Sequence, residues 1–238
     1  LTVVPFVGVY LALAGVALLA ALLLSTLELP PAPPRRTGAR LGRPLGQIAR
    51  QPLFIVAVMA SSLGYGVMNL LMAATPLAMQ QCGLPFADAA FVLQWHVIGM
   101  FAPGFFTGHL IRRFGALQVM GAGVALNLAC IAVALNGVQL HHFTVALFLL
   151  GVGWNFLFTA GTTLALGTYE PAEKDRAQGA INFAVFAVMA FTSVSAGALV
   201  SLPQGWWWLN VVSLVPVLLV AAAVGWAWFG HGRRPVPL

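Results

Sequence analysis

Apolar residues along this chain gather into seven long runs: Val3 to Ser25, Leu53 to Met79, Ala89 to Ile111, Ala116 to Asn136, Phe143 to Tyr169, Ala177 to Leu202 and Trp206 to Gly230. Crossing a hydrocarbon layer roughly 30 Å thick takes about 20 apolar residues at helical rise, and each run is long enough. None shows the strict alternation of an outer-membrane strand, and backbone N–H and C=O groups in lipid must bond to one another. The pattern predicts an all-α fold, a polytopic transmembrane bundle of seven spans.

Composition agrees with that pattern. Of 238 residues 61% are hydrophobic and only 7% are charged, with a mean hydropathy of +0.94, well beyond what one soluble core requires. The net charge of +6 would suggest nucleic acid in a soluble chain, but that function needs basic residues gathered on one solvated face. Here they occupy the gaps between runs. Arg35, Arg36, Arg40, Arg43 and Arg50 follow the first run, Arg112 and Arg113 the third, Lys174 and Arg176 the fifth, and Arg233 and Arg234 the seventh. The alternate gaps hold no Lys or Arg. Basic residues in short loops resist translocation, so this arrangement predicts a first residue outside and a cytoplasmic C-terminus. Arg112 and Arg113 are then topological anchors, and Trp206, Trp207, Trp208, Trp226 and Trp228 fit interfacial aromatic belts.

The one long gap, Thr26 to Pro52, is rich in Pro and Arg and reads as an extended linker on the cytoplasmic side. It leaves one span before it and six after. The division is natural for a piece of a longer chain, with further helices expected ahead of the first. The segments are therefore 1–25, a linker 26–52, a six-span body 53–230 and a tail 231–238.

Polar residues are unevenly shared among the spans. Ser61, Ser62, Tyr65, Asn69 and Thr75 lie in the second, Gln94, His96 and Thr107 in the third, Asn155, Thr159, Thr162 and Thr163 in the fifth, and Asn182, Thr192, Ser193 and Ser195 in the sixth. Two polar helices beside a bland one, twice over, is the pattern of helices bordering a wet cavity, and six helices can be two inverted triplets. Ser and Thr also bond to their own backbone carbonyls in membrane helices, an alternative that stands for each of them. Gly99, Gly104, Gly108, Gly121, Gly123, Gly151 and Gly153 suit close helix packing, and Pro103 beside Gly104 predicts a kink in the third span. Cys82 and Cys130 have no metal-site spacing, and neither a metal nor a cofactor is expected.

The string "GHLIRRFG", Gly108 to Gly115, resembles the short loop motif of the major facilitator superfamily, roughly G-x-L-a-D-R-x-G-R. Gly108, Leu110, Arg113 and Gly115 match, while Arg112 stands in place of the usual Asp. "YEPAEKDRAQGAINF" is similar to the loop between the fourth and fifth helices of the same half. The resemblance covers essentially the whole chain. It implies that 1–25 is the last helix of an N-terminal half, 26–52 the central loop and 53–230 the C-terminal half of a twelve-span bacterial carrier. Such a carrier moves a small molecule across the inner membrane by alternating access, with efflux one of its directions, and the N-terminal half, the lipid bilayer, the substrate and a coupled proton are the expected partners. With Arg112 replacing the acid, a gate latch of reversed polarity is expected, Arg112 or Arg113 pairing with Glu170, Glu173 or Asp175 beside Arg176.

Within the spans His96 is the one deep titratable side chain, roughly 10 Å below the outer surface at helical rise. It serves as a proton site or as a neutral histidine bonded to Gln94 or a neighbouring helix. Tyr65, Asn69, Gln94, His96, Trp154 and Asn155 are the candidate substrate contacts, amides orienting a polar ligand and rings stacking on its apolar part. A seven-helix receptor or sensor with an outside N-terminus shares the span count. It lacks support from an Asp-Arg-Tyr after span three, and the only Lys, Lys174, is unsuited to a retinal Schiff base. No Ser/His or paired-acid constellation can be assembled inside the spans, so an enzyme is not expected.

Overall fold

A computed structural model describes residues 7–27 and 42–231. Leu1 to Val4, Arg35, Arg36, Arg40, Arg233 and Arg234 thus lie outside the described residues, with the expectations that rest on them. The described residues are helical throughout their ordered elements and contain no strand. The chain divides at Arg40 into two compact units. The first holds α1 (Val7–Ser25), a rod of Leu, Ala and Val.

The second unit runs through α2 (Leu45–Ile48), α3 (Pro52–Gln81), α4 (Phe86–Phe101), α5 (Gly104–Phe114), α6 (Ala116–Leu135), α7 (Leu140–Leu166), α8 (Lys174–Val200) and α9 (Gly205–His231), with a 3₁₀ turn at Pro171–Glu173. Six helices among the described residues are long and apolar enough to cross a membrane, and α4 with α5, which pass the same test together, bring the number to seven if the bent pair is one span. α7 packs on α6, α4 and α3, and α3 packs on α8, α7 and α9, so α3 and α7 form the middle of the bundle.

One sequence expectation is met more strongly than foreseen, and two change in the structure. The third run bends where Pro103 and Gly104 predict a kink, and the bend goes as far as a break: α4 ends at Phe101 and α5 restarts at Gly104 at an angle of 40°. The proline ring at position 103 removes a backbone donor and crowds the preceding turn, which opens the ladder there. The end of the long gap is not extended. Residues 42–51 carry α2, whose Ile48 is fully buried. Trp206 is not an interfacial ring. It is 7% exposed, packs 4.8 Å from Phe143 and donates to the Ala134 carbonyl at 3.2 Å, while Trp207 and Trp208 stay open.

Small residues set the closest helix crossing. A Cβ on Gly151 of α7 would lie 2.6 Å from the His96 carbonyl and 2.9 Å from the Met100 amide nitrogen of α4, so only glycine lets these backbones meet. Gly99, Gly123 and Gly153 sit at similar approaches, whereas Gly108 faces open space. Most hydroxyls follow the bland alternative: Ser62, Thr75, Thr162, Thr163 and Ser195 each donate to a carbonyl of their own helix.

Candidate functional site

The bend between α4 and α5 frees backbone groups inside the bundle, and α7 supplies their partners. Met100 would normally meet a donor one turn ahead, but the chain breaks at Ala102 and Pro103. Asn155 of α7 donates to the Met100 carbonyl at 2.8 Å and accepts from the Thr107 hydroxyl at 2.7 Å. Thr107 also reaches the Pro103 carbonyl at 2.7 Å. One amide thus ties together both pieces of the broken span, with Asn155 and Thr107 buried. An unpaired carbonyl at that depth would be costly, which is why an amide stands there rather than an apolar residue.

Beside Asn155, Trp154 and Phe158 project one turn apart on α7 with rings stacked at 5.4 Å and 11°. Tyr65 of α3 meets both edge-on, at 5.3 and 5.5 Å. Phe101, the last residue of α4, closes on Trp154 at 6.3 Å. Edge-to-face and stacked pairs of this kind are worth about 0.5–1.5 kcal/mol beyond burial. Trp154 is 7% exposed, and its indole nitrogen has no hydrogen-bond partner among the described residues.

The six predicted substrate contacts do not converge. Tyr65 and Trp154 touch, and Asn155 adjoins them. Asn69 instead turns to α8, its amide nitrogen within 3.3 Å of the Met189 carbonyl, 3.1 Å of the Thr192 hydroxyl and 2.9 Å of the Ser193 hydroxyl. His96 is fully buried, with Nδ1 2.7 Å from the Leu147 carbonyl of α7 and Nε2 unpartnered. Its partner is therefore the neighbouring helix and not Gln94, which lies on an exposed face of α4 along an open depression with Leu93, Val97 and Ile98.

At the end of the bundle where α7 meets α8, Glu173 is the focus. One carboxylate oxygen accepts from the Arg43 backbone N–H at 2.6 Å and from its Nε at 2.8 Å. The other accepts from Arg43 Nη2 at 2.7 Å and from the Glu170 N–H at 2.9 Å. Arg43 Nη2 and the Gln51 side chain also donate to the Thr168 carbonyl, at 3.1 and 2.8 Å. The Arg43 guanidinium first, and the Glu170 N–H after it, hold the Glu173 carboxyl down at about 2. A side chain at Gly42 would collide with the Glu173 Cγ, so the chain enters this clamp through a glycine.

The clamp corrects the expected latch. Glu173 is occupied by Arg43, and Arg112 and Arg113 have no ion pair among the described residues. Both are exposed, Arg113 lying 5.2 Å above the Phe114 ring. Glu170, Asp175 and Arg176 are exposed as well. Gly115 ends α5 with φ of 91°, a left-handed conformation that suits glycine. Arg43, Phe101 and Phe158 escaped the sequence reading. The Glu170-x-x-Glu173 spacing ahead of an apolar run was a signal for an engaged carboxylate.

Comparison with known proteins fits this architecture. The Major Facilitator Superfamily profile matches residues 64–238. The chain belongs to this superfamily. The riboflavin transporter RfnT of Brucella anthropi is 42% identical over 184 residues, which is 75% of this chain and 46% of that protein. Two uncharacterized transporters of the same type from Bacillus subtilis, YdeG and YddS, are 31% and 30% identical over 135 residues, covering 56% of this chain and 30% of each relative. The chain thus spans less than half the length of these curated relatives. No solved structure matches it. Superfamily membership and the apolar helices make it a multi-pass membrane protein.

Proposed function

We propose that this chain is the C-terminal part of a secondary carrier that moves riboflavin or a closely related flavin across the bacterial inner membrane. The observation that carries this reading is the 42% identity to a riboflavin transporter over 184 residues. On this reading α1 is the last helix of an N-terminal half, residues 53–230 are the other half of the carrier, and the two halves rock about a midplane site to expose it to either side. The arginine-bearing connections face the cytoplasm and the C-terminus is inside. The bend at Ala102 and Pro103, tied by Asn155, lies on the substrate path together with Tyr65 and Trp154. His96, buried with one ring nitrogen unpartnered, is the residue in this half that a transported proton would use.

The complete carrier, expressed in a bacterial strain that neither makes nor imports riboflavin, is expected to restore growth on micromolar riboflavin and to accumulate the radiolabelled vitamin. A carrier present in the membrane at normal level that gives neither growth nor accumulation in either direction contradicts the flavin reading. A receptor reading would require ligand binding without net movement of substrate.

A further inference from the structure

We infer that Tyr65, Trp154 and Phe158 form the docking platform for the planar ring system of a heteroaromatic ligand, with the Trp154 indole N–H donating to a carbonyl or ring nitrogen of that ligand. The inference rests on the flavin reading above and adds to it which part of the ligand is held, and by which side chains.

Three observations converge on it. First, the rings come from separate helices that the fold brings to one point: Tyr65 from α3, Trp154 and Phe158 from α7, and Phe101 from the end of α4. The Trp154 and Phe158 planes lie within 11° of parallel, a ready-made surface for continuing a stack. Second, the Trp154 nitrogen is a donor in a residue 93% buried, with no acceptor among the described residues. Buried donors are almost always satisfied, so one left open beside an aromatic stack calls for an acceptor that arrives with a ligand. Third, the rim of the stack is open, while the indole nitrogen itself is covered. Tyr65 and Phe158 are partly exposed, and Phe101, at the break between α4 and α5, is 62% exposed. Of the other polar side chains here, Asn155 has both ends of its amide committed to Met100 and Thr107, and Tyr65, partly exposed, carries a hydroxyl. The ligand's polar recognition therefore falls to the indole and the Tyr65 hydroxyl, and most of the contact is ring on ring. That combination selects a flat, fused, acceptor-bearing heterocycle over a sugar or an aliphatic amine.

The test is equilibrium binding to the purified complete carrier, followed by quenching of riboflavin fluorescence. Lumichrome, the ring system without the ribityl chain, and ribitol, the chain without the rings, serve as competitors. Lumichrome is expected to displace riboflavin, and ribitol at hundredfold excess to leave it bound. Trp154→Phe keeps the packing and removes the donor, and is expected to weaken riboflavin binding about tenfold, the loss of one buried hydrogen bond. Phe158→Leu is expected to weaken lumichrome and riboflavin alike. Trp95→Phe is the control: Trp95 pairs with Phe91 and Phe148, away from the platform, and its replacement is expected to change nothing.

Unchanged affinity in both Trp154→Phe and Phe158→Leu, each with a normal melting temperature, overturns the platform and leaves the flavin reading intact. Displacement by ribitol but not by lumichrome does the same. Binding of lumichrome without riboflavin removes the flavin reading and keeps the platform. A parent carrier that binds neither overturns both.

Discussion

Replacing Asn155 by leucine in the complete carrier is expected to reduce the initial rate of transport at least tenfold while the protein still reaches the membrane. The amide donates to the Met100 carbonyl and accepts from the Thr107 hydroxyl across the break in the third span. Leucine matches its size but serves neither group. A buried polar group left open costs about 1–3 kcal/mol in soluble proteins, while hydrogen bonds between membrane helices average about 0.6 kcal/mol. The loss in stability should fall between these limits, a decrease in melting temperature of a few degrees. Transport should suffer more than stability, because the bend itself positions Phe101 and Trp154 on the proposed path. Thr107→Val removes one of the two ties and should give an intermediate rate. Added to Asn155→Leu it should bring little further loss, since both act on one contact. Normal transport by Asn155→Leu would mean that the break holds its geometry without this amide.

Arg43→Ala is expected to release the end of the long connection, residues 42–51, from the turn between α7 and α8. Glu173 is 1% exposed and receives four hydrogen bonds, three of them from Arg43. The alanine variant keeps the donation from its own backbone N–H only while the segment stays docked, and it strands a carboxylate that was built around a guanidinium. Hydrogen exchange at 42–51 should rise by an order of magnitude or more, and Arg43→Lys should recover only part of the protection, because an ammonium cannot present the same fork. The pH dependence has a definite sign. The Glu173 carboxyl lies at about 2 against an ordinary 4.5, so its stabilisation is complete above the ordinary value and fades as pH falls from there toward about 2. Protection of 42–51 in the parent should be flat from pH 8 to pH 5. Loss of protection near neutrality, or unaltered protection in Arg43→Ala, would contradict the clamp.

The helices were legible in the sequence because lipid leaves the backbone one solution, and run length alone then fixes where each span lies. The break in the third span was legible for a similar local reason, Pro103 followed by Gly104. Partners across long separations were not. Arg43 and Glu173 are 130 residues apart, and in the sequence Arg43 is one of five arginines in a basic gap while Glu173 is one of three acids in another. The Glu170-x-x-Glu173 spacing singles out the acid, but nothing local picks Arg43 from the other arginines as its partner. Trp206 failed for a different reason. Three successive tryptophans at a span end look alike, but only one can turn inward, and which one depends on how α9 rotates against α6. The candidate site was half visible: aromatic and amide side chains inside apolar runs stand out, yet whether each meets a ligand, a backbone carbonyl or another helix depends on packing. Asn69 and Asn155 went to protein partners, Gln94 to an open face, and only Tyr65 and Trp154 came together.

A carrier of this kind requires the apolar helices to cross a bilayer with every arginine-bearing connection on the cytoplasmic side. Cysteine accessibility in intact cells tests this most directly, using the complete carrier with Cys82 and Cys130 replaced and a membrane-impermeant maleimide. Gln139→Cys, between α6 and α7, should be labelled in intact cells, and Lys174→Cys, at the start of α8, only after the membrane is opened. Labelling of Lys174→Cys from outside in intact cells would contradict the orientation and the carrier built on it.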